Sequence, residues 1–420
     1  MYFREIRLNW HALLSGAFGM ALGSALSHYT LSLFGPAMIK DLAWTKAQFA
    51  LIGSVPLLTM VLIPVAGRYT DRFGTRVAAV TGFLGVPLGF LAMSQMSGNL
   101  IEYFAIYLAQ HVFGILTTSL VFCRVVVERF DAARGIALSA IMSAPPLAGA
   151  IAAPLLGGVI AENGWRTGYL AMAAITAAGG VIAISLMGAG LKRSAPREAA
   201  AVRLSRTEFF GLLRNPMLLL IVGGMLLVNI PQSFANSQLK LVAMGKGISD
   251  IDATWMVSLY AIGVMVGRFL TGIALDMKVR PHVVAILSLG LPAIGYILFA
   301  SSVSAPLILT AGVLLIGLAQ GAESDVGAYL ISRNFDIKNF SLLLSFVTMS
   351  IGLGSALGSL VLSFSLHNYG DSYVPYLWLS AVGTLIGAAA FGMTGMRWVG
   401  GGPRQAEEPV IEQALAGELS

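Results

Sequence analysis

The chain has 420 residues, of which 57% are hydrophobic and only 11% are charged. Water-soluble globular proteins carry about a quarter charged residues, so this composition excludes a soluble fold and predicts a protein embedded in lipid. We attribute the net charge of +6 to contact with anionic lipid headgroups and not to nucleic-acid binding.

Apolar stretches long enough to cross a membrane recur along the whole chain. A helix needs about 20 apolar residues to cross about 30 Å of hydrocarbon. Twelve such stretches occur, at 10–34, 47–66, 77–96, 101–126, 135–161, 167–190, 216–239, 253–275, 282–301, 305–332, 340–364 and 373–396. The sequence therefore predicts an all-α membrane protein with twelve transmembrane helices.

Lysine and arginine are distributed unevenly between the loops on the two sides. If the N-terminus is cytoplasmic, nineteen lie in cytoplasmic loops and tails, and five lie in outer loops: Lys40, Lys46, Arg166, Lys240 and Lys246. Cytoplasmic loops are enriched in these residues, so we expect both termini to be cytoplasmic. No cleavable signal is evident before the first span, and the single Cys123 leaves no intramolecular disulfide.

A charged, glycine-containing loop between the second and third spans has an imperfect copy in the second half of the chain. The two segments run from Gly67 to Arg76 and from Gly267 to Arg280, with Asp71 and Asp276 205 residues apart. Such duplication is typical of transporters built from internal repeats. The predicted units are an N-terminal six-helix bundle (1–190), a cationic cytoplasmic linker (191–214), a C-terminal six-helix bundle (215–399) and a disordered cytoplasmic tail (400–420).

The first of these loops resembles the signature of the major facilitator superfamily, Gly-x-x-x-Asp-Arg/Lys-x-Gly-x-Arg/Lys. The signature residues here are Gly67, Asp71, Arg72, Gly74 and Arg76; the second copy keeps Gly272 and Asp276 but has Met277 and Val279 where Arg and Gly are expected. The resemblance covers essentially the whole chain and implies the major facilitator fold, with two pseudo-symmetric six-helix bundles. In that family the loop braces the inner gate, so we expect these residues and Asp276 to act in gating.

Three further segments resemble the monocarboxylate-transporter and oxalate/formate-antiporter branches. They are 124–138, 163–166 and 321–335. Arg268 stands in the eighth span where those branches carry the arginine that binds the substrate carboxylate. Two departures limit the resemblance: the span 340–364 has no cation where oxalate exchangers place a lysine, and Val264 replaces the aspartate of animal monocarboxylate carriers.

Arg268 is the main candidate for binding a substrate. It precedes Asp276 by eight residues, which places it about 12 Å along the helix from the loop. An arginine at this depth costs about 2.5–3.5 kcal/mol unless it meets water or an anion. A planar guanidinium matches a carboxylate in a bidentate manner. The alternative is a structural ion pair with an acid inside the membrane.

Two acids of the tenth span, Glu323 and Asp325, are candidates for coupling transport to protons. They lie two residues apart and therefore on different faces, and Gln320 shares the face of Glu323, which we expect to line the cavity. A carboxylate that alternates between a wet cavity and a closed site can take up and release a proton. The alternative is ion pairing with Arg268 or Arg124.

Other polar residues within the spans complete the candidate site. His28 and its neighbour Tyr29 lie in the first span, and His28 either contacts a carboxylate or serves as a packing residue. His111 in the fourth span is a weaker candidate. Arg124 either lines the cavity, pairs with Asp325 at the inner gate or reaches lipid phosphate. The polar residues of the seventh span that share a face beside Pro231 are Asn229, Ser233 and Asn236.

We interpret the chain as a secondary active transporter that moves a small organic monocarboxylate across the cytoplasmic membrane, with proton symport and alternating access. Alternatives are a proton-independent organic anion exchanger and proton-driven efflux of small drugs. No phosphate-binding loop or metal-spaced His/Cys cluster appears, so we expect no enzyme activity, cofactor or metal. The expected partners are the organic anion, protons and membrane lipids, and we expect a monomer.

Overall fold

A computed structural model describes residues 2–188, 211–212, 214–277, 279–336 and 339–396. Every regular element within these residues is helical. The predicted tail and all of the predicted linker except residues 211, 212 and 214 lie outside the described residues, so the domain bounds stay a prediction.

Twelve membrane helices, α1 to α12, follow a short N-terminal helix, Tyr2–Leu8. In the first half, α1 combines Trp10–Ala21 with Ser24–Leu42, α2 is Lys46–Phe73, α3 is Thr75–Gln95, α4 is Leu100–Val127, and α5 and α6 share the run Arg134–Leu186. In the second half, α7 is Pro216–Gly245, α8 is Asp250–Asp276, α9 is Pro281–Ala300, α10 is Pro306–Asn334, α11 is Phe340–Asn368 and α12 is Val374–Met393.

The twelve spans predicted from the apolar stretches are confirmed. Ten described helices are long and apolar enough to cross a membrane. One of them, Arg134–Leu186, contains two spans because Gly164 has φ 81° and ψ 166° and breaks the helix between α5 and α6. The first span is not among the ten because Leu22 and Gly23 divide it into a piece of 12 residues, which is too short, and a piece of 19 residues, which is not apolar enough on its own.

Contacts within the first half define two faces of the molecule. On the terminal face, where the N-terminal helix lies, the Glu5 carboxylate accepts hydrogen bonds from the backbone amides of Asp131 at 2.6 Å and Ala133 at 2.7 Å. These amides stabilise the ionised carboxylate and lower the pKa of Glu5. The N-terminal helix is thereby attached to the loop between α4 and α5.

On the opposite face, the segment that begins α6 joins the ends of α1 and α3. The Trp165 indole donates to Asp41 at 2.8 Å, and the Arg166 guanidinium donates to the carbonyls of Ser94 and Met96. Arg166 also lies over the Trp165 ring, 4.3 Å from its centroid. Three helix ends are thus held together by two adjacent side chains.

Small residues allow the helix backbones to approach closely in the second half. A Cβ atom on Gly267 of α8 would lie 2.1 Å from the Leu318 carbonyl oxygen of α10, and one on Gly321 of α10 would lie 2.0 Å from the Val264 oxygen of α8. A Cβ on Gly358 of α11 would lie 1.9 Å from the Ile230 oxygen of α7. Glycine is therefore required at these helix crossings.

The two halves meet along a central seam. Side-chain hydrogen bonds cross it between Ser258 and Ala150, Ser363 and Ala47, Arg268 and Met142, and His28 and Gln320. None of the four lies within about two helical turns of the terminal face. The halves are therefore fastened to each other at mid-depth and toward the opposite face.

Candidate substrate site

A cavity of about 310 Å³ lies at the seam between the halves. Its lining comes from α1, α2, α4 and α5 on one side and from α7 and α11 on the other. The polar and aromatic lining residues are Ser24, His28, Tyr29, Tyr107, His111, Thr118, Ser233, Asn236, Ser237, Ser355 and Ser359. The residues that form the lining include no Arg, Lys, Asp or Glu. A small solute in this cavity would contact both halves.

A hydrogen-bonded chain leads from the cavity wall of the first half into the second half. His28 Nε2 lies 3.0 Å from Gln320 Nε2, the Gln320 carbonyl oxygen accepts from the Tyr260 hydroxyl, and that hydroxyl lies 3.0 Å from Asn236 Oδ1. Since Gln320 presents its amide nitrogen, which donates, His28 Nε2 is the acceptor in this arrangement. His28 and Asn236 line the cavity, whereas Gln320 lies behind it.

Arg268, the main candidate, is not among the residues that line the cavity, and it contacts both halves. Its Nη1 donates to the Met142 carbonyl oxygen of α5 at 3.1 Å, and its Nη2 donates to the Ser324 hydroxyl of α10 at 3.3 Å. The nearest atoms of Arg268 and Asp325, Nε and Oδ2, are 3.8 Å apart, and these side chains are 24% and 40% exposed. Arg268 thus lies among three helices, with a loose acidic partner and part of its surface accessible. Met142 precedes the cavity residue Pro145 by about one helical turn.

Glu323 lies within the second half and not in the wall of the central cavity, in contrast to the expectation from its shared face with Gln320. It is 9% exposed and accepts a hydrogen bond from the Gln232 amide at 2.5 Å. With Gln232, Tyr260, Tyr296 and Gln320 it surrounds a space of about 10 Å³. A buried carboxylate needs such polar partners. Two of them, Gln320 and Tyr260, also contact the cavity residues His28 and Asn236.

The three seventh-span candidates occupy different places. Ser233 and Asn236 line the cavity. Asn229 is fully buried, its amide donates to the Met225 carbonyl at 2.8 Å, and it does not reach the lining. The helix continues beyond Pro231 as a wider π-helical segment, Phe234–Gln238, which changes the direction of the side chains that follow Asn229.

Arg124 pairs with Asp71 and not with Asp325, which the sequence analysis offered as one of its partners. The pair joins α4 to the signature loop near the terminal face, within one half of the molecule. Arg124 also lies outside the cavity lining. The ion pair therefore fixes the position of the loop and leaves the cavity without a cation from α4.

The other signature residues take up positions around the same loop. Gly74 has φ 89°, which favours glycine, and ends α2 before α3 begins. Arg76 donates to the Gly188 carbonyl at the end of α6 at 3.2 Å, and Arg72 lies over the Phe73 ring. A Cβ on Gly67 would come no closer than 4.0 Å to its nearest neighbour, the Leu120 side chain of α4.

The second-half copy of the loop has a different setting. Asp276 shares an open depression on the terminal face with Arg280, His282 and Arg333. Its side chain makes no ion pair with another described residue. The two loops are therefore related by sequence but differ in their contacts.

Sequence reasoning missed part of the cavity wall. Ser355 and Ser359 of α11 and Tyr107 of α4 line the cavity but were not among the candidates. A signal was present, because Ser355, Ser359 and Ser363 recur every four residues and therefore share one face of α11. Serine is common in membrane helices, and only the structure shows that this face meets the seam.

The sequence of the chain matches a known protein family. The model of the Major Facilitator Superfamily matches residues 16–242 and 223–414, which together include nearly the whole chain. The chain belongs to the Major Facilitator Superfamily. It is therefore a secondary active transporter of the membrane and not an enzyme. No curated protein matches it in sequence.

Solved transporter structures share the fold of this superfamily member. The nucleoside transporter NupG is 16% identical, covers 93% of this chain and 98% of its own, and superposes with a TM-score of 0.71. A D-xylose-proton symporter is 16% identical, covers 93% of this chain and 97% of its own, and superposes with a TM-score of 0.65. A peptide transporter bound to alafosfalin is 15% identical, covers 93% of this chain and 94% of its own, and superposes with a TM-score of 0.69. At these identities the likeness concerns the fold alone.

Proposed function

We propose that this transporter carries a small organic monocarboxylate across the cytoplasmic membrane together with a proton. The observation that carries the proposal is the setting of Arg268 at the seam. Its guanidinium touches both halves, and its nearest acid stays 3.8 Å away from its Nε. A loose partner of this kind leaves the guanidinium able to take a second carboxylate.

The substrate carboxylate would replace weak contacts of Arg268 with strong ones. The two bonds that Arg268 now donates go to a neutral carbonyl and a neutral hydroxyl. A bidentate carboxylate pair is charge-assisted and roughly twice as strong per bond. Because Met142 belongs to the first half, the exchange would also release one of the bonds that cross the seam. Substrate binding would then favour movement of the halves.

Glu323 is the proposed proton carrier, with Asp325 as the second acid. A proton on Glu323 would neutralise a buried charge that now depends on Gln232. The Gln232 and Gln320 side chains border the same small space as Glu323, and Gln320 contacts His28. The proton and the substrate would each stabilise the conformation able to reorient, which is the thermodynamic basis of symport.

The proposed setting is the cytoplasmic membrane, with both termini in the cytoplasm and the protein acting as a monomer in contact with lipids. The terminal face would then be the cytoplasmic face. The seam is fastened at mid-depth and toward the opposite face, so this structure would represent a state that is shut toward the outside. Exchange of organic anions without protons, and efflux of small drugs, are the competing modes of transport.

A second candidate function is transport of a neutral polar solute. The observation that favours it is the cavity lining, to which no charged side chain contributes. The nucleoside transporter and the D-xylose-proton symporter that share the fold are named for uncharged solutes. In this case Arg268 and Asp325 would serve only to join α8, α10 and α5.

A solute panel distinguishes the candidates. Purified protein is placed in liposomes, and uptake of labelled lactate, benzoate, xylose and uridine is measured with and without an inward proton gradient. We expect uptake of at least one carboxylate, stimulation by the gradient, and its loss in Arg268→Ala. Uptake of xylose or uridine that Arg268→Ala leaves intact would overturn the proposal, and carboxylate counterflow without any pH dependence would establish exchange instead.

A further inference from the structure

The two walls of the seam cavity differ in chemistry. The first half supplies four rings, those of His28, Tyr29, Tyr107 and His111. Every lining residue from the second half carries a hydroxyl or an amide: Ser233, Asn236, Ser237, Ser355 and Ser359. The first-half wall also carries the hydroxyls of Ser24 and Thr118, but all of the aromatic rings lie on that side. A solute at the seam would therefore meet rings on one side only, and only hydroxyl and amide groups on the other.

The rings are arranged in two pairs, one on each of two helices. His28 and Tyr29 of α1 are perpendicular, with centroids 5.1 Å apart, and Tyr107 and His111 of α4 are tilted by 52° at 4.8 Å. Aromatic groups attract one another in offset and edge-to-face arrangements. A flat ring placed between these pairs would gain contacts that an aliphatic chain cannot make.

Several polar groups of the lining have no partner within the described protein. No protein hydrogen bond reaches the hydroxyls of Tyr29, Tyr107 and Ser355, the ring nitrogens of His111 or the amide nitrogen of Asn236. Each of these residues lines the cavity, so the groups remain available to a ligand. Other lining hydroxyls are already engaged, such as that of Ser233, which lies 2.7 Å from the Tyr376 hydroxyl.

The size of the cavity limits the solute. A volume of about 310 Å³ is near the lower end of the range of about 300–1,000 Å³ for small-molecule sites. One ring with a few substituents suits this space. All four lining rings lie on the first-half side of it, which suits a solute with one flat apolar face better than a sugar acid with hydroxyls all round.

We infer that the substrate is an aromatic monocarboxylate that carries a ring hydroxyl. Its ring would lie against the His28–Tyr29 and Tyr107–His111 pairs, its hydroxyl would bond to the α11 wall at Ser355, and its carboxylate would extend past Tyr29 to Arg268. This inference rests on the proposed carboxylate function and adds the chemistry of the rest of the molecule.

Competition experiments test the inference. Binding of tritiated 4-hydroxybenzoate to the purified protein is measured against unlabelled 2-, 3- and 4-hydroxybenzoate, benzoate, cyclohexanecarboxylate, gluconate and lactate. We expect at least one hydroxybenzoate to compete at about fivefold lower concentration than benzoate, as one neutral hydrogen bond provides. Benzoate should in turn compete better than cyclohexanecarboxylate, gluconate and lactate.

Two variants test which wall of the cavity contacts which part of the solute. Ser355→Ala should remove the preference for the hydroxylated acid, so that the preferred hydroxybenzoate and benzoate compete at about equal concentrations. The substitution breaks no protein hydrogen bond, so a change in this preference reports contact with the solute. Tyr107→Leu should weaken both aryl acids relative to lactate. Ser185→Ala is the matched control, because its hydroxyl bonds only to carbonyls of its own helix, those of Val181 and Ile182.

The outcomes separate the inference from the proposed function. Arg268-dependent uptake of lactate or gluconate with no binding of any aryl acid would overturn the inference and leave the carboxylate function standing. Equal competition by benzoate and all three hydroxybenzoates would also overturn it. Failure of every carboxylate, both to bind and to enter proteoliposomes, would overturn both.

Discussion

Arg268 shows how an arginine is accommodated inside a membrane bundle. A guanidinium at this depth is unfavourable by about 2.5–3.5 kcal/mol without partners. Met142, Ser324 and Asp325 supply them from two neighbouring helices. The depth of Arg268 was predictable from its spacing to Asp276. Its contact with the Met142 carbonyl was not, because it depends on how α5 and α8 approach.

At the residue scale, Glu323→Gln tests the proton site. The amide keeps the shape and the hydrogen-bonding capacity toward Gln232 but cannot exchange a proton. We expect uptake of the carboxylate to lose its stimulation by an inward proton gradient, while counterflow with equal pH on both sides persists. The measurement is uptake into proteoliposomes under both conditions.

Asp325→Asn is the comparison for Glu323→Gln, since both changes remove one acid from α10. Asp325 is only loosely placed beside Arg268 and is 40% exposed. We expect this variant to retain stimulation by the gradient. If Glu323→Gln keeps full stimulation and Asp325→Asn loses it, the roles of the two acids are reversed.

At the scale of helices, the contact between α8 and α10 positions both candidate groups. Gly263 and Gly267 of α8 face Gly317 and Gly321 of α10, and a Cβ on Gly321 would lie 2.8 Å from the Arg268 backbone nitrogen. Along each helix the two glycines are four residues apart, which is the spacing of a Gly-x-x-x-Gly motif and was visible in the sequence. Glycine spacing alone, however, does not say which helix is the partner.

Gly267→Ala tests this helix crossing. The added methyl would overlap the Leu318 carbonyl, a backbone atom that cannot move aside alone. We expect a loss of stability of about 1–3 kcal/mol, as for other overpacked sites. Thermal unfolding in detergent measures it as a lower melting temperature. Gly272→Ala on the same helix is the control, because nothing lies within 4 Å of its added Cβ.

Two serines of the second half fasten the seam toward the opposite face. Ser258 donates to the Ala150 carbonyl at 2.6 Å and Ser363 to the Ala47 carbonyl at 2.8 Å. Each bond contributes about 0.5–1.5 kcal/mol. The double variant Ser258→Ala with Ser363→Ala should therefore raise the population of the conformation that opens at this face, relative to the closed one, by roughly fivefold or more.

Labelling of an introduced cysteine measures this shift. Ala47→Cys is placed in a Cys123→Ser background, which removes the single native cysteine, and reacted with an impermeant maleimide. Ala47 is only 7% exposed in the closed seam, so faster labelling reports opening. Ser185→Ala should leave the rate unchanged. Equal rates in the double variant would show that these bonds do not hold the seam.

The helix breaks were predictable to different degrees. Gly164 stands between two apolar stretches, so the loop between α5 and α6 followed from the sequence. Pro231 indicated a break in α7, and the regular α-helix does end at Asn229. The π-helical segment that follows, Phe234–Gln238, was not indicated by the sequence. The exact position depends on contacts with α1 and α11 that no local pattern encodes.

At the scale of the whole molecule, twelve spans and their division into two related halves followed from hydropathy and the 205-residue repeat of Asp71 and Asp276. The location of the cavity did not, because it is formed by side chains from six helices far apart in sequence. Glu323 illustrates this limit. Its helical face was predictable, whereas its position behind the cavity wall depends on Gln232 of another helix.

The central claim is that the Arg268 guanidinium binds the carboxylate of the transported solute. The most direct test is the KM for carboxylate uptake by Arg268→Lys in proteoliposomes, with Arg280→Lys on the terminal face as the matched control. Lysine keeps the charge but loses the two-pronged geometry. We predict a rise in KM of about tenfold or more for Arg268→Lys and no change for Arg280→Lys. An unchanged KM in Arg268→Lys would contradict the account.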